Sequence, residues 1–136
     1  MINNKQMTSY IIPAPPLLPG DSEVSAFQVT RPKVIKGTVT QLTSVATGVT
    51  LNAASGVVTM FTATTAAGAS SSFTVTNSYV GVGSQLIVCV QDYSGTTGLP
   101  SVIVDNISDA GTFVITLKNV GNAALNGIVK VGFMVI

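Results

Sequence analysis

The stretch DNISDAG, residues 105–111, is where chemistry would have to start. Asp105 and Asp109 flank Asn106 and Ser108, the densest group of oxygen-bearing side chains around carboxylates in the sequence. Such a set suggests calcium, but that ion takes six to eight oxygens and this stretch offers about four. A carboxylate pair can also hydrolyse a glycosidic bond, but here no further acid–base partner accompanies the pair. The plainer reading is an Asx-turn loop between two strands. Asn106-Ile107-Ser108 matches the N-glycosylation sequon as well.

Histidine is missing altogether, which removes the commonest general base, the usual zinc ligand and every Ser–His or Cys–His arrangement. The single cysteine, Cys89, rules out an internal disulfide framework. It sits within the apolar run LIVCV (86–90) with no cation near it in sequence, so a buried, unreactive thiol is expected. GVGSQL (81–86) opens like a dinucleotide loop but lacks the third glycine and the following helix. Tyr79 and Tyr93 fall in expected loops, where they could meet a glycan or a partner, while Phe27, Phe61, Phe73, Phe113 and Phe133 read mostly as core. No catalytic residue, cofactor or metal site is expected, and the protein reads as no enzyme.

The elements that would position any site are strands. The 136 residues are 46% hydrophobic and only 8% charged, yet the apolar residues come in short pieces far below the ~18–20 needed to cross a bilayer. Alternation recurs from Thr38 onward. FTVTN sets Phe73 and Val75 against Thr74 and Thr76. TFVITLKN aligns Phe113, Ile115 and Leu117, and IVKVGFMVI aligns Val129, Val131, Phe133 and Val135. LIVCV and SVIV are apolar on both faces, as in strands covered on both sides. Asn-, Gly- and Ser-rich turns separate these runs, with Asn126-Gly127 the strongest local turn signal. Eight strands are expected, near 38–43, 48–51, 56–64, 71–76, 85–91, 101–105, 111–118 and 127–136. The fold class is all-β, a β-sandwich or jelly roll, with strand order left open.

Residues 1–36 differ. They hold four of the six cationic side chains and five of the six prolines. MINNKQMTSY has one lysine and no apolar h-region before the prolines, which speaks against a secretory signal. YIIPAPPLLPG (10–20) then gathers Ile11, Ile12, Pro13, Pro15, Pro16, Leu17, Leu18 and Pro19. Proline favours polyproline II, so the first 25 residues would reach roughly 75 Å at ~3.1 Å per residue. Pro16–Pro19 also matches the P-x-x-P pattern of SH3-type ligands. A disordered tail is usually polar, whereas burying each of these four aliphatic side chains is worth ~1.5–3 kcal/mol. The segment is therefore expected to be an extended N-terminal arm that binds another chain. Arg31, Lys33 and Lys36 in TRPKVIKG form a basic hinge that could share in the contact. The expected organisation is an arm and hinge, 1–36, and a β-sandwich body, 37–136.

With few charges, no clustered Lys and Arg and an apolar arm, the chain reads as a building block with no nucleic-acid or membrane partner. The apolar second faces and the end at Ile136 suggest a closed oligomer, with a homotrimer favoured. TGVTLNAASGVVTMFTATTAAGASSSFTVTNSYV (47–80), followed by NVGNAALNGIVKVGFMVI (119–136), resembles a recurring β module of tailed-phage virion proteins. These are small head decoration, or cement, proteins and related modules in fibres and knobs. The resemblance covers residues 38–136 and leaves out the arm. It implies a structural virion protein on the capsid surface, with trimers at local threefold positions and an arm reaching onto the major capsid protein. It carries no catalytic residues to transfer. The alternative is a receptor-binding or fibre module at a tail or vertex, with Tyr79, Tyr93 and the 105–109 loop as ligand-facing candidates.

Overall fold

The computed structural model describes residues 36–136. They form eight strands: β1 (Lys36–Thr40), β2 (Val49–Thr50), β3 (Ser55–Thr59), β4 (Ser70–Thr76), β5 (Leu86–Tyr93), β6 (Pro100–Ser108), β7 (Thr112–Asn119) and β8 (Val129–Val135). Two four-stranded sheets result, the first in the order β1-β3-β8-β5 and the second in the order β2-β4-β7-β6. The body is an all-β sandwich, as the alternation and turn spacing imply.

Alternation decides which side chains face the other sheet. Phe73, Val75, Phe113, Ile115 and Leu117 from the second sheet and Val58, Val129, Val131 and Phe133 from the first are all buried. Val39, Leu86, Val88, Val90 and Val102 pack against them from the sheet edges. Phe113 and Phe133 meet edge to face across the sandwich, ring centroids 5.4 Å apart, a geometry that adds about 0.5–1.5 kcal/mol to the burial itself. The wider run 56–64 is not one strand: β3 ends at Thr59. Met60 goes inward while Phe61, expected in the core, is 41% exposed.

The connectivity is less regular than the alternation. From β1 to β6 each strand lies in the opposite sheet from the one before it, and β7 to β8 crosses again. Two pairs are consequently parallel, β1 with β3 and β2 with β4. The one tight hairpin joins β6 to β7, where Ser108 pairs with Thr112. Gly111 takes a positive φ of 84° in its turn, the left-handed position that a three-residue hairpin loop reserves for glycine.

Every other connection passes over an end of the sandwich, where its backbone polar groups have no ladder. Three buried amide side chains receive them: Gln41, Asn77 and Asn119. Asn119 Nδ2 donates to Thr65 O (2.9 Å) and Ala123 O (2.7 Å), and its Oδ1 accepts from Leu99 N and Gly121 N (3.0 Å each). At the other end Asn77 Nδ2 donates to Ala53 O (2.8 Å) and its Oδ1 accepts from Tyr79 N (2.9 Å). Gln41 Nε2 donates to Val45 O and Thr47 O, while its Oε1 accepts from Phe61 N. Together the three amides touch all six sheet-to-sheet connections. A fourth amide, half in solvent, locks one end further: Asn126 Oδ1 accepts from Thr96 N and Thr97 N, and Gly127 packs against Gly95 so closely that a Cβ would stand 2.3 Å from Gly95 N. Asn126-Gly127 thus marks a close backbone approach, not the hairpin turn its sequence suggests.

Candidate interaction surface

The outer faces of the two sheets differ in chemistry. On the second sheet the outward residues form cross-strand rows. Ser72 stands beside Thr116 and Ile103, and Thr76 beside Thr112 and Ser108. Hydroxyls dominate: Ser72 Oγ and Thr116 Oγ1 lie 2.7 Å apart, and Thr116 donates to Asp105 Oδ2 at 3.3 Å.

The first sheet presents mixed rows with an apolar centre. Lys36, Ser55, Met134 and Ile87 lie side by side, then Thr38, Val57, Gly132 and Cys89, then Thr40, Thr59, Lys130 and Asp92. Ile87 is 57% exposed and Met134 42%. Gly132 lies between Val57 and Cys89 and contributes no side chain, so the middle row is sunk below its neighbours. The result is an open groove of about 500 Å3 whose walls include Val57, Ile87, Cys89 and Met134. The charged groups sit at its margins: Lys36 at one end, and the Lys130–Asp92 ion pair (3.5 Å) at the other. A β-bulge in β5 at Gln91, between the pairs of Lys130 and Val131, ends the apolar stretch.

Several sequence expectations change here. Cys89 is exposed, not buried. Val88 and Val90 take the core side of the edge strand β5, and alternation leaves the thiol on the outer face. For the same reason LIVCV and SVIV are covered on one face only among the described residues, with Ile87 and Ile103 outward. Tyr93 belongs to β5 and is no loop ligand. Its hydroxyl donates to Thr97 O (2.6 Å) and accepts from Asn126 N (2.9 Å). Residues 105–108 are strand too, with a bulge at Asp105, so DNISDAG is not the expected loop and only 109–111 turn. Among the described residues no cluster of three or more His, Cys, Asp and Glu side chains is placed to hold a metal ion.

Tyr79 is 45% exposed in the β4–β5 connection, at the end of the sandwich that also carries the 109–111 turn, where Asn77 N donates to Gly111 O. Tyr93 lies at the opposite end, so the three ligand-facing candidates do not form one surface. Of the residues assigned to partner binding, Lys36 is exposed, opens β1 and stands in the groove wall. Ile11, Ile12, Pro13, Pro15, Pro16, Leu17, Leu18, Pro19, Arg31 and Lys33 lie outside the described residues. The groove itself was not singled out in the sequence. Its signal was the apolar second faces of LIVCV and FMVI, which alternation alone marks as outward once Val88, Val90 and Phe133 are assigned to the core. No protein-family model, no curated protein and no solved structure matches the chain.

Proposed function

We propose that this protein is a structural virion component, a decoration protein that sits on the surface of a phage capsid and stabilises it by bridging major capsid protein subunits. The observation that carries this reading is the contrast between the sandwich's two outer faces. One is hydroxyl-rich and suited to water. The other groups Val57, Ile87, Cys89 and Met134 around Gly132 in a charge-free centre, rimmed by Thr38, Ser55 and Gln91 and without a covering element among the described residues. The reading takes this exposed group of Val57, Ile87, Cys89 and Met134 as the contact surface.

Further support comes from the use of the polar residues. The buried amides are committed to holding the connections, and the exposed carboxylate Asp92 is paired with Lys130. The likeness of residues 38–136 to decoration-protein β modules points the same way, and a homotrimer is the assembly unit in this reading. Mechanically the protein acts by apolar burial repeated at many sites, so modest contacts add up through multivalency.

A second reading, a receptor-binding or fibre module, draws on the β4–β5 connection, where Tyr79 and Val82 are 45% and 86% exposed. Copy number separates the two. Quantitative mass spectrometry of the source virion should find the protein in near-stoichiometric ratio to the major capsid protein, and shells lacking it should rupture at lower temperature. A handful of copies per particle would overturn the decoration reading in favour of the second.

A further inference from the structure

We propose that the groove on the outer face of the first sheet is the seat for the apolar proline-rich segment, residues 11–19, of a neighbouring copy of this protein. The inference rests on the reading of the protein as an assembling subunit and names a partner for its apolar face. The size of the groove, about 14 Å along the strands, argues for four or five residues of one extended segment at ~3.1 Å per residue, with the rest of 11–19 running past its ends. Three interstrand gaps of ~4.8 Å by four residue steps of ~3.4 Å give roughly 200 Å2 in plan. A stable contact between two folded surfaces needs ~800 Å2 per partner.

The chemistry of the segment matches. Residues 11–19 carry no charge and present Ile11, Ile12, Leu17 and Leu18, while Pro13, Pro15, Pro16 and Pro19 have no backbone N–H to leave unpaired against an apolar floor. That floor offers no acid to desolvate, and the depression at Gly132 accepts a side chain beside Cys89, whose Sγ lies 3.4 Å from where a Gly132 Cβ would stand.

The chain also leaves the described structure at the right place. Lys36 is in the groove wall, so the chain leaves the described residues on the groove face. The sixteen residues 20–35 span up to roughly 53 Å, ample to pass the segment on to the next copy of a closed ring, an exchange of the kind seen in domain swapping. Copies held together in an assembly meet one another's segments at millimolar effective concentration, the same order that a short linker provides within one chain.

Cys89 provides the test, being the single cysteine and exposed in the groove. The rate of its modification by an aromatic disulfide reagent is measured on the full chain, from micromolar to about millimolar protein, beside the L17D/L18D double variant. Those substitutions lie outside the described residues. The expected result is a rate that falls about tenfold or more as wild-type concentration rises, following mass action, and stays high throughout in the variant.

Protection that persists on dilution and is lost in the variant would mean that the chain's own segment fills the groove, which overturns the exchange. Equal concentration-dependent protection in both proteins would mean that two sheet faces pack directly, which overturns the segment. An unprotected thiol at every concentration overturns both the occupant and the site. No shell is present in this assay, so any of these failures leaves the decoration reading to be judged by copy number alone.

Discussion

Replacing Asn119 with alanine should cost this domain a large part of its stability. The side chain is fully buried and makes four hydrogen bonds of 2.7–3.0 Å to three separate connections. Truncation strands two carbonyls and two amide hydrogens. At about 1 kcal/mol net for each hydrogen bond the loss is about 4 kcal/mol. Leu99 and Gly121 border a shallow surface depression, so a water molecule can reach part of the vacated space and reduce the figure to about 3 kcal/mol. Against a total of ~5–15 kcal/mol that is a severe change. Urea unfolding of the full chain measures it as a fall in midpoint at constant m-value. Exposed Asn122, changed to alanine, is the control and should shift the midpoint little.

Asn119→Asp sharpens the test through its pH dependence. An aspartate keeps two acceptors for Leu99 N and Gly121 N but turns a carboxylate oxygen toward the carbonyls of Thr65 and Ala123. Burial and that repulsion favour the protonated acid, so the folded-state pKa rises above the unfolded value of ~3.9. The folded protein then binds the proton more tightly than the unfolded chain, and stability is lost as pH rises, by up to ~1.4 kcal/mol per pH unit. Relative to wild type, Asn119→Ala should show no such slope. A loss below about 1 kcal/mol for Asn119→Ala, or a flat pH profile for Asn119→Asp, would refute the view that this amide is the fastener of its end of the sandwich.

Two smaller predictions concern the backbone and the surface. Gly127→Ala should destabilise by about 3 kcal/mol or more, because the new Cβ meets the Gly95 backbone on both N and Cα; Gly81→Ala, with open space around it, should be neutral or stabilising by ~0.4–1 kcal/mol, and thermal melts compare the two directly. Asp92→Asn removes the carboxylate of an ion pair whose side chains are 45% and 58% exposed, so its effect at physiological salt should stay within about 0.5 kcal/mol, read from the same urea titration.

The legible part of the fold was the part governed by a period of two. Phe73 and Val75, or Phe113, Ile115 and Leu117, can face only one way once a single side of the strand is buried. Strand order was not legible, because alternation names the inward face and is silent about the neighbour. Nothing in KGTVT or SGVVT announces that these two strands run parallel. Cys89 was misread for a related reason: an apolar strand at a sheet edge looks like one covered on both faces. Tyr93 and residues 106–108 read as loop in the sequence because β5 and β6 run further than their apolar stretches, to Tyr93 and Ser108.

One signal lay in plain view. Asn77 continues the inward parity of Phe73 and Val75, Asn119 that of Phe113, Ile115 and Leu117, and Gln41 that of Val39. A polar residue in the inward register at or just past the end of a strand must find partners or pay the desolvation of its amide. Here the partners exist because of the topology. When successive strands alternate between sheets, each crossover carries unpaired N–H and C=O groups over the sandwich end, and those groups have to be met. An amide side chain can donate twice and accept twice without a charge, which suits an interior assembled from so few ionisable residues. The same amides that look like turn residues in the sequence are therefore what closes a crossed topology. This also explains how so charge-poor a body can leave the centre of one sheet face apolar: the polar contacts that fix its topology lie at the ends of the sandwich.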